Sequence, residues 1–235
     1  MADGVKRTYN SPRRAAQARS TREAIRRAAH DLFVSAGYAS TPITAIAAEA
    51  EVAPQTVYSQ FGTKAAIVKE LLDVSIVGDE EPSPVAERPW FQRVFDDGID
   101  GHERLRRYAS AVRRIYVGAG STFEIIRRAA DGDAELAELW AANQRARRTV
   151  VTRILDAALA DTDLRPGLTR DEAVDLFWLL HGPEIFHLLT VECRWSPERF
   201  EGWIAQTFCE QLLAPRPANP GTTGPAEQPS PNDPV

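Results

Sequence analysis

Neutral polar side chains cluster in one short segment, residues 51–64, with the sequence EVAPQTVYSQFGTK. Exposed helices are usually rich in Glu and Lys, whereas this segment carries amides and hydroxyls, with a lysine just after Gly62. A glutamine can bond adenine N6 and N7 together, and a threonine methyl can pack on a thymine methyl. Tyrosine hydroxyls and lysine ammonium groups bind phosphate. These residue types therefore suit a surface that contacts base edges and the DNA backbone. The candidate contacts are Thr44, Gln55, Thr56, Tyr58, Gln60 and Lys64.

The alternative is that residues 55–60 form an ordinary solvated helix, so the elements around them must be considered. Ser20 with Glu23 fits a capping box and predicts the start of a first helix, and Gly37 stands where its C-terminal cap belongs. Apolar residues recur between them at helical spacing. They are Ile25, Ala28, Ala29, Leu32, Phe33 and Ala36.

Three more helices follow in the N-terminal part. Thr41 as N-cap and Pro42 in the first turn predict a second, short helix. A third helix is expected from Pro54 to about Gln60, and Thr63 can cap a fourth. The inward positions are Ile43, Ile46, Ala47 and Ala50 in the second helix, and Ile67, Val68, Leu71 and Leu72 in the fourth.

The second and third helices, joined by the three-residue turn at 51–53, form a helix-turn-helix pattern. Ala47 and Ala48 are small enough for the two helices to approach closely, and Val52 and Val57 suit the shared core. In this motif the second helix lies in the major groove. The polar side chains of residues 55–60 would then point away from the core, towards DNA.

Residues 18–72 resemble the DNA-binding domain of the tetracycline-repressor (TetR) family. The resemblance lies in an amphipathic first helix ending in AGY, then TPITAIAAEAEVA and TVYSQFGTKAAIVKELL. It implies a homodimeric, all-helical transcription regulator, usually a repressor released by a small molecule. It also implies that the six candidate contacts above are the DNA-binding residues. Glu51 departs from the family pattern, which usually has glycine there; a positive φ at this position would cost roughly 1 kcal/mol relative to glycine.

The charge distribution is consistent with a nucleic-acid partner. The chain has 235 residues and a net charge of −5, but residues 1–64 carry nine Lys/Arg against five Asp/Glu, which leaves about −9 for the rest. A basic N-terminal part on an otherwise acidic protein allows that end to approach a polyanion.

Residues 78–89 contain three prolines and four acidic residues and predict a domain boundary. Beyond it the pattern stays helical, and no strand pattern stands out. The predicted fold class is all-α, with an N-terminal helix-turn-helix domain and a larger helical ligand-binding and dimerisation domain. The predicted helices are 90–96, 103–117, 121–130, 134–160, 170–181, 184–193 and 197–213. The predicted regions are 1–15, a disordered basic arm; 16–77, the DNA-binding domain; 78–213, the ligand-binding and dimerisation domain; and 214–235, a disordered proline-rich tail with seven prolines.

A mostly apolar small-molecule effector is expected in the second domain, because aromatic and polar residues of its helices could line a cavity. Taken singly, each of these residues also fits an ordinary core. The tentative ligand-binding residues are Phe91, Tyr116, Phe123, Trp140, Trp178, His181, Glu184 and His187.

The helical stretches 170–193 and 197–213 are implied by the resemblance to pair with their copies in a four-helix bundle of a homodimer. Phe200, Trp203, Ile204 and Phe208 suit that interface, and they suit the monomer's own core equally well.

Other classes of function have less support. His181 and His187 are six residues apart with Pro183 between them, unlike the paired histidines of HExxH, so no metal site is predicted, and no cofactor either. Cys193 and Cys209 form no disulfide framework. No membrane-length apolar run or secretory signal is visible, which predicts a cytoplasmic protein.

Besides a ligand-responsive repressor binding a palindromic operator, two hypotheses remain. One is an enzyme with a pocket around His181 and Glu184; the other is an architectural DNA binder that senses no ligand.

Overall fold

This computed structural model describes residues 12–78 and 84–216. Its regular secondary structure is helical. Within these ranges, one antiparallel bridge between Leu164 and Leu213 is the only strand-like feature. The predicted all-α class is confirmed. The α-helices are α1 (Pro12–Ala36), α2 (Ile43–Glu49), α3 (Pro54–Phe61), α4 (Lys64–Val77), α5 (Pro89–Gln92), α6 (Gly101–Ala129), α7 (Ala134–Ala158), α8 (Arg170–Leu180), α9 (Pro183–His187) and α10 (Pro197–Leu212).

Short irregular helices extend two of these elements. Turns of 3₁₀-helix at Val85–Glu87 and Arg93–Phe95 flank α5. A π-helical turn, Leu188–Glu192, continues α9, so the single helix predicted at 184–193 is divided. None of the described helices is long and apolar enough to cross a lipid bilayer.

The first helix begins earlier than predicted. Ser20 lies inside α1 and caps nothing, because the helix already starts at Pro12. The preceding run is rich in Ala, Arg and Gln, which are good helix formers and propagate the helix towards the N-terminus. Residues 12–15 therefore belong to α1 and not to an arm; residues 1–11 lie outside the described part of the chain.

The start of α2 also differs from the prediction. Pro42, not Thr41, is the N-cap, and the Thr41 hydroxyl donates to the carbonyl of Gly37 at 2.8 Å. Two other predicted helix boundaries are confirmed. Gly37, with φ +85°, follows the end of α1, and the Thr63 hydroxyl accepts from Ala66 N at the start of α4.

Helix α6 is the centre of the second domain, and α4, α7, α9 and α10 pack against it. The two helices predicted at 103–117 and 121–130 are this one helix. Gly118, between the two predicted helices, lies against α4, since a Cβ there would be 2.5 Å from the carbonyl oxygen of Ser75. Helix packing outweighs the cost of a glycine inside a helix, about 1 kcal/mol.

The last helix contributes its main apolar face to the chain's own core. Phe200, Ile204 and Phe208 have no exposed surface, so of the two interpretations the core interpretation is correct for these three. Trp203 is half-buried beside Trp195.

The tail predicted from residue 214 is attached at its beginning. Ala214 N donates to Asp163 O at 2.9 Å, and Arg216 pairs with Asp100 at 2.5 Å. Residues 217–235, like 79–83 of the predicted linker, lie outside the described ranges.

Candidate nucleic-acid interface and interdomain cleft

Helix α3 is held against the N-terminal domain by a small set of buried apolar residues. Ile46 and Ala47 of α2 have no exposed surface, and Val57 of α3 is 1% exposed. The turn between the helices closes with a bond from Val52 N to Ala47 O at 2.9 Å, and Glu51 in that turn has φ +54°. The turn therefore contains a left-handed residue that is not glycine.

Four of the six predicted DNA contacts lie on the outer surface of this pair of helices. Thr44 of α2 and Gln55 of α3 are exposed, Thr56 is half-buried, and half of the Tyr58 side chain is exposed. The neighbouring Ser59 hydroxyl donates to Thr56 O at 2.9 Å and is satisfied locally. An exposed, uncharged, hydrogen-bonding face is thus available on α2 and α3.

Gln60 faces the rest of the domain. Arg22 of α1 donates to the Gln60 carbonyl at 2.7 Å and approaches its side-chain oxygen at 3.5 Å, and its guanidinium lies 4.3 Å from the centre of the Phe61 ring. Arg22 also pairs with Glu70 of α4, as does Arg26 at 2.7 Å. Burial alone would raise the pKa of Glu70, but the hydrogen bonds from the two arginines hold it below its ordinary value. This ionic cluster joins α1, the end of α3 and α4.

Lys64 is also turned inward. Its ammonium donates to Tyr38 O at 2.7 Å and to Thr41 O at 3.1 Å, and it lies 4.0 Å from the centre of the Tyr38 ring. Burial lowers its pKa, opposed by the charge of Asp133. In this arrangement Lys64 positions the connection between α1 and α2, and a phosphate would have to compete with two carbonyls for its side chain.

Tyr38 connects the two domains. Its hydroxyl donates to Asp133 at 2.7 Å, and burial followed by this hydrogen bond raises the pKa of Tyr38. Asp133 is the N-cap of α7 and accepts from Glu135 N and Leu136 N. A single side chain therefore joins Lys64, at the start of α4, to the start of α7.

A cleft of about 970 Å³ lies beside Tyr38, between the end of α1 and the second domain. Of the eight predicted ligand-binding residues, Tyr116 and His187 line it. Its other walls come from residues 33–40, from α6 and from the π-helical turn. Sequence reasoning did not anticipate that the DNA-binding domain would provide one wall.

The other six predicted ligand residues are distributed through the second domain. Phe123 meets Tyr116 edge to face at 5.7 Å, while Phe91 packs against Tyr108 at 6.4 Å. Trp140, Trp178 and Glu184 are half-buried, whereas His181 is 5% exposed. Four of the eight, Tyr116, Phe123, Trp178 and His181, lie in one interior region. Trp140 makes no ring contact with these four residues.

Two functional candidates in this interior were missed, Tyr108 and Arg147. The Tyr108 hydroxyl lies 3.0 Å from His181 Nε2, and the guanidinium of Arg147 donates to Trp178 O at 3.3 Å. Arg147 is 7% exposed and has no carboxylate within ion-pair distance among the described residues. Burial, and secondarily the charge of Arg147, hold the pKa of His181 well below its ordinary value, so this imidazole is neutral. The helical spacing of Arg147 with the apolar Val151 and Leu155 could have indicated its inward position.

These features define a helix-turn-helix pair, α2 and α3, with a larger helical domain behind it. Residues 25–71 match the family model described as bacterial regulatory proteins, tetR family. This match confirms, for these residues, the resemblance inferred from the sequence.

Solved structures extend the similarity of fold to most of the chain. NalD, the secondary repressor of the MexAB-OprM multidrug efflux pump in Pseudomonas aeruginosa, is 20% identical, with a TM-score of 0.58 over 83% of this chain and 97% of that one. FadR of Bacillus subtilis, solved with stearoyl-CoA, is 14% identical, with a TM-score of 0.58 over 79% and 96%. A putative transcriptional regulator of Saccharomonospora viridis, solved with choline, is 16% identical, with a TM-score of 0.61 over 83% and 98%. No curated protein matches the sequence. The matched family model describes regulatory proteins, and these solved structures share the fold of this chain.

Proposed function

We propose that the protein is a ligand-responsive transcriptional repressor that binds a palindromic operator as a homodimer. The observation that supports the proposal is the exposed polar face of α3. The buried Val57 anchors this helix to a domain that matches the tetR family model. No other exposed helix face of the described residues combines these residue types with a helix-turn-helix support.

Each exposed side chain has a role that its chemistry supports. Gln55 is suited to the adenine edge, and Thr56 to a thymine methyl. Tyr58 and Thr44 carry hydroxyls at the two sides of this face and are suited to phosphate. Gln60 and Lys64 are assigned a supporting role, because both are engaged with the domain itself.

Dimerisation is proposed because a palindromic site needs two recognition helices about one helical turn, roughly 34 Å, apart. Since Phe200, Ile204 and Phe208 are enclosed by the chain's own core, the contacts fall to other residues. Leu179 and Leu188 are each more than half exposed on the outer side of α8 and the π-helical turn. They provide apolar surface for a second copy.

The effector is proposed to be a mostly apolar small molecule. It favours a form of the dimer in which the distance between the two recognition helices does not match two successive major grooves of the operator. Such a ligand acts only through a difference in its affinity for the two states. The neighbouring structures with stearoyl-CoA and with choline show that this fold holds chemically different ligands in other proteins, and neither ligand is transferred to this chain.

Selection of genomic DNA fragments by the full-length protein tests the proposal, because the fragments contain the operator and its spacing. On a selected fragment we expect Gln55→Ala and Tyr58→Ala each to weaken binding about 5- to 100-fold. The matched control is Gln92→Ala, an exposed glutamine at the end of α5, which should bind as the wild type does. Unchanged affinity in both α3 variants, at low salt and in competition with random DNA, would refute the assigned contacts.

A further inference from the structure

Three exposed valines converge on the cleft between the domains. Val34 of α1, Val117 of α6 and Val191 of the π-helical turn are each 56–57% exposed, and all three line the cleft. They are half of the large apolar side chains that are exposed among the described residues. Apolar side chains from three separate elements that meet in one concave region indicate a binding site more strongly than scattered ones do.

The size and chemistry of the cleft point to one kind of occupant. Its volume of about 970 Å³ is at the upper end of the range for small-molecule sites. Several polar side chains in its walls already have partners in the chain. Glu124 pairs with Arg128, the Ser121 hydroxyl lies 2.8 Å from His30 Nε2, and Thr190 donates to Phe186 O at 2.7 Å. Glu124 and Arg128, which carry opposite charges in the wall, pair with each other, so the complementary molecule is neutral and mostly apolar.

One wall of the cleft is irregular. Thr190 and Val191 belong to the π-helical turn, and Arg194, two residues after it, has φ +57°. π-helical turns are rare and occur frequently at functional sites, and a non-glycine residue with positive φ stores strain. This wall can therefore adjust more easily than the regular helices α1 and α6 opposite it.

Tyr38, in the wall formed by residues 33–40, provides the connection to DNA binding. Its hydroxyl is bonded to Asp133, and its ring and carbonyl hold Lys64. A molecule that moves the Tyr38 ring must disturb the contact of Lys64, and with it the connection that precedes α2.

We propose that this interdomain cleft is the effector site, that it takes one neutral, mostly apolar molecule per chain, and that the molecule acts on DNA binding by displacing Tyr38. The regulatory part rests on the proposed function, whereas ligand binding by the cleft does not. Thermodynamic coupling then requires that operator DNA weakens binding of the molecule by the same factor.

The site is tested on the free, full-length protein with N-phenyl-1-naphthylamine, a neutral apolar fluorophore. We expect saturable binding of one probe per chain. Val117→Trp places a bulky ring inside the cleft and should weaken binding about tenfold or more. Ala142→Trp, which adds the same side chain at an exposed position of α7 outside the cleft, should leave binding unchanged. Val191→Trp repeats the test from another wall if Val117→Trp does not fold. No saturable binding, or equal binding by the cleft variants and the control, overturns the site.

The coupling is tested on an operator fragment selected by the wild type. Saturating probe should weaken operator binding about tenfold, and in Tyr38→Leu, which removes both the ring that contacts Lys64 and the hydroxyl bonded to Asp133, the effect should fall below about threefold. Probe binding without any change in operator affinity, or an undiminished effect in Tyr38→Leu, overturns the role of Tyr38. If the wild type selects no fragment, the proposed function fails, while the fluorescence result still decides whether the cleft binds ligand.

Discussion

The recognition face of α3 and the interdomain cleft differ in how far apart their residues lie in the sequence. Gln55, Thr56 and Tyr58 belong to one eight-residue helix, whereas the cleft draws its walls from residues between 33 and 197. A short helix exposes its outer residues by its own geometry once a single residue, Val57, is anchored. A cleft exists only after helices distant in sequence have packed. Functions that depend on a surface helix are therefore visible in a sequence much earlier than functions that depend on a cavity.

The two domains are also stabilised differently. The N-terminal domain combines a small aliphatic core with the ionic cluster of Arg22, Arg26 and Glu70. The second domain is held by interlocked aromatic rings, in which Phe208 lies 4.7 Å from Phe177 and 6.2 Å from Tyr108. Perturbing one domain at a time tests whether the two domains depend on these different interactions.

Phe208→Ala is expected to have the largest effect. Phe208 has no exposed surface, and truncation of such a ring costs about 3–5 kcal/mol of unfolding free energy. Denaturant unfolding measures the loss. Phe95→Ala, at a half-buried ring near the edge of the domain, is the control and should lose much less. Similar losses in the two variants would contradict the aromatic core as the main source of stability in the second domain.

Glu70→Gln should be the strongest single perturbation of the ionic cluster. It removes the charge that holds two arginines, and hydrogen bonds to charged groups contribute about 1.5–3 kcal/mol. Glu103→Gln is the matched control, because Glu103 pairs with Arg106 and Arg107 on an exposed helix face, where such pairs contribute about 0–1 kcal/mol. The variants are compared by thermal unfolding at neutral pH. An equal shift in both would show that the cluster acts as an ordinary surface pair.

His181 makes the stability of the second domain pH-dependent. Because burial depresses its pKa in the folded state, its contribution is fully present above the unfolded pKa of about 6.5 and is lost as pH falls below that value towards the folded pKa. We expect His181→Gln to flatten the fall in unfolding free energy between neutral and acid pH. Chemical unfolding of the wild type and the variant at a series of pH values measures this difference. A wild-type slope retained in His181→Gln would assign the acid sensitivity to another group.

Local signals predicted the DNA-binding domain well. The end of α1 at Gly37 and the cap at Thr63 follow from one or two residues each, and both are present. The start of α1 was wrong because helix propensity continued past a plausible cap. Helix α6 was divided wrongly because the sequence does not reveal that α4 packs against Gly118. Of the candidate site, the exposed face of α3 was predictable, whereas the inward turn of Lys64 and the contribution of α1 to the cleft depend on contacts between distant residues.

Glu51 and Arg194 permit the smallest and most direct comparison of the two domains, because they are the only non-glycine residues with positive φ in the described ranges, at +54° and +57°. Replacing either by glycine relieves strain and should raise the unfolding free energy by about 1 kcal/mol, less the extra entropy that glycine gains in the unfolded chain. Glu51→Ala and Arg194→Ala are the controls, since alanine retains the strain and neither variant should gain unfolding free energy.

The functional outcomes of the two glycine variants should differ. Arg194 follows the irregular wall of the cleft, so Arg194→Gly should alter probe binding and leave operator affinity intact. Glu51 sets the angle between α2 and α3, so Glu51→Gly should alter operator affinity and leave probe binding intact. If both glycine variants changed both affinities equally, the turn and the cleft would be parts of one rigid unit, and the separation of DNA recognition from ligand binding would be wrong.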